Sequence, residues 1–352
     1  DPIRLGDVDL ANRVVMAPLT RSRSVGLLPG PLAVDYYRQR ASAGLIVSEG
    51  TQITPEGQGY LDTPGIHSRE QVAAWKKVTA AVHAEGGKIA MQLWHVGRIS
   101  HVQFQPEGRA PISSTARAAV GKTFTSQGFI DLSTPRALRS DELPGVVRDF
   151  ARAAEHAMEA GFDAVEVHGA NGYLIDQFLR NSINDRSDGY GGSIENRARL
   201  AVEVMTAIAK AIGPGRAGIR LSPVTPVNGA GQDSDAQALF NHLAEQLSPL
   251  GLAFLHLIEG QTGGPRDVAP FDYAAMRKRF KGLWIANNGY TREMAIEAIA
   301  NGSADLIAFG RASIGNPDLV RRLRLNAPLQ AMDKTTLYGG NEKGYTDYAA
   351  LA

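Results

Sequence analysis

Three side chains that can donate hydrogen bonds lie within six residues of one another, between His168 and Tyr173. His168, Asn171 and Tyr173 are separated only by glycine and alanine. An imidazole, an amide and a phenol can all bind an oxygen atom, and the phenol can also act as an acid. The apolar run Asp163–Val167 just before them predicts a buried strand. The segment is therefore either a tight turn or an active site at the end of that strand.

The composition limits the classes of protein to which the chain can belong. Of its 352 residues 43% are hydrophobic and 21% charged, which allows a large core and argues against disorder. The net charge is +1 without a basic tract, so neither nucleic acid nor a membrane surface is a predicted partner. No apolar run approaches the roughly 20 residues of a membrane span. Because the chain has no cysteine and its first residues do not form a signal peptide, we expect a cytoplasmic protein.

Short apolar runs alternate with longer amphipathic segments along the chain. Continuous apolar runs are typical of parallel strands buried on both faces. Eight such runs, nearly all followed by helices, favour an α/β fold with a single (β/α)8 TIM barrel over residues 1–352. The predicted strands are Arg13–Ala17, Gly44–Glu49, Lys88–Leu93, Asp163–Val167, Ala217–Leu221, Ala253–Leu257, Leu283–Ala286 and Asp305–Phe309. The predicted helices are 31–42, 69–85, 141–160, 193–211, 233–247, 271–280, 291–301 and 316–324.

One long segment, residues 95–140, does not follow this alternation. It has no helical period and is rich in Ser, Gly, Pro and Arg. It comes directly after the third predicted strand, and no change of composition marks a second domain. We therefore predict an excursion over the barrel mouth that contains a hairpin and acts as a lid.

The residues at the C-terminal ends of the strands are the candidates for chemistry, because barrel enzymes place their active sites there. Most of these residues are neutral donors and acceptors. A metal site needs several converging carboxylates or histidines, and no pair here has a ligand-type spacing. An amide-rich rim with one cation better suits a planar heterocycle with a polar edge. The candidates are Thr20, Gln92, His168, Asn171 and Tyr173, with Arg220 as the main cation.

The last two predicted strands run into turns that could bind a phosphate. Asn288-Gly289 follows the seventh strand, and Gly310-Arg311 follows the eighth. Glycine lets backbone N–H groups approach an anion, a helix start favours negative charge, and Arg311 adds a fork of donors. Either turn alone could be an ordinary tight turn. Together, at the two positions where barrels often bind phosphate, they predict a phosphate site. A heterocycle with a phosphate at its far end describes flavin mononucleotide (FMN).

Several longer segments, in order and at plausible spacing, are similar to one enzyme family. They are NRVVMAPLTRSR (12–23), YYRQRASAGLIVSEGTQI (36–53), QLWHVGR (92–98), EVHGANGYLIDQFLRNSINDRSDGYGG (166–192), NRARL (196–200), AFGRASIGNPDL (308–319) and GYTDY (344–348). Over nearly its whole length the chain resembles the Old Yellow Enzyme family of flavin-dependent ene-reductases. Its greatest similarity is to the bacterial branch with the pentaerythritol tetranitrate, N-ethylmaleimide and morphinone reductases. Family members carry His-x-x-His or His-x-x-Asn, and this chain has the latter.

The resemblance implies an FMN-dependent NAD(P)H oxidoreductase that reduces activated C=C bonds. The implied substrates are α,β-unsaturated carbonyl compounds, nitroalkenes and maleimides, with nitro-ester or nitroaromatic reduction as a further activity. FMN would bind tightly and non-covalently, and NADPH or NADH would reduce it. The implied partners are thus small electron-poor alkenes and NAD(P)H, and the protein would be a monomer or a homodimer.

The resemblance also implies a role for each cofactor-binding residue. Thr20 would bind the flavin carbonyl near N5, Gln92 the pyrimidine edge, and Arg220 the N1/O2 region, where its charge favours reduction. Three residues would pack against the isoalloxazine ring of the flavin, and four would bind the phosphate. The wall residues are Pro18, Leu19 and Gly50, and the phosphate residues are Asn288, Gly289, Gly310 and Arg311.

The substrate side follows in the same way. The resemblance implies that His168, which also borders the cofactor, and Asn171 hold the carbonyl or nitro oxygen. Hydride from flavin N5 would then reach the β-carbon, and Tyr173 would protonate the α-carbon. The residues implied to shape the substrate pocket are Tyr60, Trp94 and Tyr338.

Two other classes of function stay open from the residues alone. A metal-dependent barrel hydrolase or lyase would use histidines and glutamates at the strand ends. A non-catalytic flavin-binding barrel would bind FMN without reducing an alkene. The metal candidates are His95, His168, His256, Glu49 and Glu259.

Overall fold

Eight parallel strands close into a barrel in the computed structural model of the protein, which describes residues 1–351. Each strand pairs with the next in chain order, and the eighth pairs with the first through Ile307 and Val14. The predicted barrel is confirmed. The strands are β1 (Val14–Met16), β2 (Leu45–Val47), β3 (Ile89–Trp94), β4 (Ala164–Gly169), β5 (Ala217–Leu221), β6 (Phe254–Ile258), β7 (Leu283–Asn287) and β8 (Leu306–Phe309).

Helices surround the barrel, and most lie where the amphipathic segments predict them. The predicted helix near 316–324 is present but begins only at Leu319, and a further short helix precedes Asn316. Pro317 follows Asn316 and disfavours helical backbone there, and Asn316 has ψ 89°. The helices are α1 (Pro31–Arg38), α2 (Arg69–Ala84), α3 (Leu143–Glu159), α4 (Leu174–Leu179), α5 (Ile194–Ile212), α6 (Ala236–Leu247), α7 (Tyr273–Arg277), α8 (Arg292–Ala300), α9 (Arg311–Gly315) and α10 (Leu319–Leu325). Within residues 1–351, none of them is long and apolar enough to cross a membrane.

Alternate residues of each strand face opposite sides of the barrel wall, and β4 shows the pattern. Val165 and Val167 pack outward against the helices. Ala164 belongs to the apolar cluster that fills the lower barrel, while Glu166 and His168 follow on the same side toward the C-terminal end. The interior thus changes along the strand from small apolar to polar, and the polar end is the one where a barrel carries its active site.

An N-terminal hairpin that the sequence pattern did not predict closes the other end of the barrel. Its strands are Ile3–Leu5 and Val8–Leu10. Leu5, Val8 and Leu10 share one apolar cluster with the lower barrel interior. Gly6 has φ 55°, and a Cβ there would lie 2.1 Å from the carbonyl oxygen of Gly215. The hairpin can therefore pack this closely only with glycine at its turn.

Residues 95–140, between β3 and α3, have little regular structure. They contain the antiparallel hairpin Lys122–Thr125/Gly128–Asp131. The Thr123 hydroxyl donates to Gly59 O at 2.5 Å, so the hairpin is tied to the loop after β2. A backbone hydrogen bond from Leu61 N to Phe124 O supports the same contact. That the hairpin acts as a lid stays a prediction.

Candidate active site

A cavity of about 530 Å³ opens at the C-terminal ends of the strands. This volume lies in the range of cofactor and ligand sites. It is bordered by every predicted site residue except Tyr60, which lines an adjoining cavity. The predicted residues on the wall are Pro18, Leu19, Thr20, Gly50, Gln92, Trp94, His168, Asn171, Tyr173, Arg220, Asn288, Gly289, Gly310, Arg311 and Tyr338.

His168, near the end of β4, is a neutral hydrogen-bond donor. Its buried position lowers its pKa well below the usual value, and the positive charge of Arg220 adds to this effect. The backbone N–H of Ala170 donates to Nδ1 at 3.3 Å. Because Nδ1 accepts, the ring proton is on Nε2, and that N–H is the donor left for a ligand.

Asn171 follows in left-handed backbone, with φ 59°. Its own N–H donates to the Ser222 hydroxyl at 2.8 Å. Its side-chain oxygen accepts a hydrogen bond from the Thr262 hydroxyl at 2.6 Å. Since the oxygen is occupied in this way, the amide presents its NH2 group as donor. Thr262 also lines the cavity, but no sequence pattern connects it with a residue so far away in the chain.

Tyr173 is the N-cap residue of α4, and its hydroxyl lies 2.9 Å from that of Tyr60. Burial raises the pKa of Tyr173 to about 12, although the hydrogen bond from Tyr60 acts in the opposite direction. The phenol is therefore protonated at neutral pH. The hydroxyl lies beside the Asn171 amide and the His168 imidazole, and in its protonated form it can act as an acid but not as a base.

Aromatic rings hold these groups in place. The Trp94 indole stacks on His168 with ring centroids 6.0 Å apart and on Tyr60 at 5.6 Å. It meets Tyr173 edge-on at 5.0 Å. A Cβ at Gly50 would lie 2.5 Å from the indole, so glycine is needed where the chain passes this ring.

A buried ion pair supports the turn that carries the donors. The Asp176 carboxylate accepts hydrogen bonds from Gly172 N at 2.8 Å and from Arg180 Nε at 2.9 Å. Arg180 also donates to the carbonyl of Ser222, the residue whose hydroxyl binds Asn171. Both charged side chains are fully buried. The start of α4 and the end of β5 are thereby held together below the site.

The barrel interior beneath the cavity contains a layer of polar side chains that was not predicted from the sequence. Glu166 accepts a hydrogen bond from Gln92 Nε2 at 2.9 Å and another from His256 Nδ1 at 2.7 Å. All three side chains are almost completely buried. Because a carboxylate can only accept hydrogen bonds, the Gln92 amide is oriented with its NH2 group toward Glu166. One N–H and the carbonyl oxygen of Gln92 remain for a ligand.

Arg220 is the cation of this layer. Its Nη2 donates to Asn287 Oδ1 at 2.8 Å, whereas its buried Nε has no partner among residues 1–351. Burial lowers the pKa of Arg220 to about 10, and the nearby Glu166 opposes that shift. The guanidinium stays charged at neutral pH and has a donor to offer.

The two predicted phosphate turns lie on the same wall. Gly289 has φ 68°, and Gly310 caps α9. The Arg311 side chain makes no hydrogen bond or ion pair within the described part of the chain. The Asn288 side chain has no donor left for an anion, because its Nδ2 donates to the carbonyls of Glu259 and Gln261 at 2.7 and 2.9 Å. Only its backbone N–H is left for an anion.

The residues of the metal hypothesis do not converge. Burial lowers the pKa of His95 to about 3, and its Nδ1 accepts from Gly97 N at 3.1 Å. The Glu259 carboxylate binds Arg266 and, at 2.8 Å, the Tyr290 hydroxyl. Glu49 accepts from the backbone of Arg21. Across residues 1–351, no three His, Asp or Glu side chains are grouped so that they could hold a metal ion.

Comparison with known proteins identifies the family. The model of the NADH:flavin oxidoreductase / NADH oxidase family matches residues 1–330. The chain belongs to this family. 12-Oxophytodienoate reductase 2 of Arabidopsis thaliana is 46% identical, with 99% of this chain and 95% of the relative covered. 12-Oxophytodienoate reductase 1 of Oryza sativa subsp. japonica is 47% identical over 99% of this chain and 92% of its own length.

Solved structures of the family have the same fold. Morphinone reductase in complex with tetrahydroNAD is 48% identical, with a TM-score of 0.94 over 100% of this chain and 97% of that one. The Old Yellow Enzyme homologue from Zymomonas mobilis is 45% identical, with a TM-score of 0.96 over 100% and 99%. The predicted membership of the Old Yellow Enzyme family is confirmed. The protein is thus an oxidoreductase of activated C=C bonds with FMN as cofactor and a nicotinamide nucleotide as reductant.

The cavity suits FMN in its donors as well as its size. Arg220 brings a buried, unpartnered N–H, and Gln92 a neighbouring donor and acceptor. At the far wall Gly289 has open space around its α-carbon, and Arg311 is free to bind an anion. A planar heterocycle with a phosphate therefore finds complementary groups at both ends.

Proposed function

We propose that the protein reduces α,β-unsaturated carbonyl compounds, nitroalkenes and maleimides with NAD(P)H. The overall change consumes one NAD(P)H and one proton and yields NAD(P)+ and the saturated product. The observation that carries the proposal is the free donor pair formed by His168 Nε2–H and the Asn171 NH2 group, with the Tyr173 hydroxyl beside it.

The donor pair would bind the oxygen of a carbonyl or nitro group. Negative charge develops on that oxygen when hydride adds to the β-carbon, and donors already in place stabilise it without reorganisation. The hydride would come from FMN when the cofactor is bound. His168 is suited to the role because a neutral imidazole with Nε2–H can donate but carries no charge that would repel Arg220.

Tyr173 would complete the reduction by giving its phenol proton to the α-carbon. A phenol with a pKa near 12 is a weak acid, but its position makes the transfer to a developing enolate feasible. The Tyr60 hydroxyl, 2.9 Å away, can donate to the phenolate that remains and so assist the transfer.

The other residues would hold the cofactor and the reductant. Thr20, Gln92 and Arg220 would bind the polar edge of the flavin, with Pro18, Leu19 and Gly50 along its ring. Arg311 and the backbone at Gly289 and Gly310 would take the phosphate, with the Asn288 N–H beside them. The nicotinamide of NADPH or NADH would use the same donor pair as the substrate, and the hairpin Lys122–Asp131 would cover both.

One spectroscopic experiment tests the proposal. The purified protein should be yellow, should lose its flavin absorbance when NADPH is added without oxygen, and should regain it on addition of cyclohex-2-enone. A folded, colourless protein that takes up no added FMN would contradict the proposal. A protein that is bleached but not recoloured by any enone would be a flavoprotein of another function.

A further inference from the structure

A second cavity, of about 460 Å³, adjoins the first on the side of the excursion. Thr20, Tyr173 and Tyr338 line both cavities, so the two cavities adjoin at the proposed proton donor. The rest of the second wall is formed mostly by the loop after β2 and by the hairpin, with Ser22 and Gly339 completing it. Among the residues that line it, Thr20 alone has a proposed contact with the flavin.

The hairpin brings two aromatic rings to this cavity. Phe124 and Phe129 are directly opposite each other in the antiparallel pairing, with ring centroids 5.1 Å apart. They are 46% and 71% exposed. The neighbouring Thr123 and Thr125 are buried, so one face of the hairpin is packed on the protein while its aromatic face is left without a cover. Exposed aromatic surface beside a ligand site usually marks a place for an apolar group.

The charges on this wall favour a neutral occupant. Asp62 and Lys122 are its two charged residues, and their charges cancel. The Lys122 ammonium also lies 3.8 Å from the Asp131 carboxylate, so it is not an unpaired cation. A carboxylate would gain no unpaired cation here, whereas an aromatic ring could pack on Phe124, Phe129 and Tyr60.

We propose that the second cavity is a substrate subsite for a neutral aromatic substituent on the alkene. The substituent would sit on the α-carbon, because Tyr173 both protonates that carbon and forms the boundary between the cavities. The subsite rests on the proposed function. It implies that the protein prefers enones that carry a bulky aryl group on the α-carbon. Phe124 and Phe129 are then determinants of specificity.

The test compares cyclohex-2-enone with 2-phenylcyclohex-2-enone. Each is titrated into the oxidised FMN protein without NAD(P)H, and the Kd is read from the change in flavin absorbance. Replacing both rings (Phe124→Ala with Phe129→Ala) should raise the Kd of the phenyl compound about tenfold and that of cyclohexenone less than about twofold. Val120→Ala is the matched control, since Val120 is 94% exposed on the same excursion and outside the cavity.

The steady-state kcat/KM for 2-phenylcyclohex-2-enone, divided by that for cyclohex-2-enone, should fall in the double variant in proportion to the change in the two Kd values. An unchanged ratio in the double variant would overturn the subsite, and so would an equal loss for both compounds. If the wild-type protein bound both compounds but reduced neither, the proposed function would fail, while the Kd ratio would still decide on the subsite. Because both rings are exposed, either single variant can replace the double variant if the latter is unstable.

Discussion

The hydrogen-bonding direction of the two substrate donors depends on single residues next to them. Asn171 could present either its oxygen or its nitrogen, and Thr262 decides this by donating to the oxygen. His168 could carry its proton on either nitrogen, and the backbone of Ala170 decides that. Both donors could be predicted from the sequence, because they follow the C-terminal end of a predicted barrel strand, where barrel enzymes place their active sites. It could not find Thr262, which lies 91 residues away from Asn171.

Thr262→Val should weaken substrate binding without affecting reduction of the flavin by NADPH. The substitution keeps the side-chain shape but removes the hydroxyl, so the amide of Asn171 is free to turn. We expect the Kd of cyclohex-2-enone to rise about five- to tenfold, which corresponds to one lost hydrogen bond. An unchanged Kd would show that the orientation of Asn171 does not depend on Thr262. Thr206→Val is a suitable control, because its hydroxyl only bonds within α5.

The pH dependence of alkene reduction should be flat across the neutral range. Burial holds the pKa of His168 well below its usual value, so the ring is neutral above that pKa and does not titrate near neutrality. Tyr173, with its pKa of about 12, must be protonated to act and stays so until the pH approaches that value. The rate of the enone half-reaction, measured by stopped flow, should therefore show no step between about pH 6 and 9. A step that disappears in His168→Ala would contradict this assignment.

At the scale of the strands, the site depends on a layer of polar side chains that crosses the barrel interior. Gln92 on β3, Glu166 on β4 and His256 on β6 form one hydrogen-bonded chain. Sequence periodicity shows which strand residues face inward, but not how the strands are rotated against each other. The pairing register places Glu166 directly beside Gln92. The hydrogen bond between these two side chains therefore could not be predicted from the sequence.

Glu166→Ala should destabilise the protein and loosen the cofactor together. It leaves buried polar atoms of Gln92 and His256 without a partner, which costs about 3 kcal/mol in the free energy of unfolding. Urea denaturation of the FMN-free protein measures this cost, and fluorescence titration with FMN measures the weaker binding. Glu155→Ala, exposed on α3, should change neither value beyond about 0.5 kcal/mol. Equal stability of the two variants would mean that the layer is not a supporting element.

For the whole molecule, the repeated strand and helix pattern was enough to predict the barrel. Eight buried parallel strands have few alternative arrangements, so the barrel could be predicted although the bounds of single strands were a few residues off. The N-terminal hairpin was not predicted, and each of its strands has only three residues. Such elements are stabilised by contacts with distant segments rather than by a local pattern.

The C-terminal segment is a second example of long-range stabilisation, since two arginines from the loop after β1 hold it. Arg21 donates to the carbonyls of Leu337 and Gly344 at 3.0 and 2.6 Å. Arg23 donates to Thr336 O at 2.8 Å and stacks on the ring of Tyr345. The segment between these contacts carries Leu337 and Tyr338 to the cavity wall.

Arg23→Met should release this segment while the barrel stays folded. Amide hydrogen exchange in residues 336–345 should become about tenfold faster or more, because carbonyls that were bonded to the guanidinium lose their partner. Exchange in the barrel strands should not change. Arg324→Met, exposed at the end of α10, serves as control. Equal exchange in both variants would show that Arg23 does not hold the segment.

The two half-reactions of Tyr173→Phe, followed without oxygen by stopped-flow absorbance, test the central claim most directly. NADPH should bleach the flavin of the variant at the wild-type rate, because that step needs no proton from Tyr173. Recolouring by cyclohex-2-enone should be slower by about 10²-fold or more, since the positioned acid is missing. If recolouring proceeds at the wild-type rate, Tyr173 is not the proton donor and the proposed mechanism is wrong.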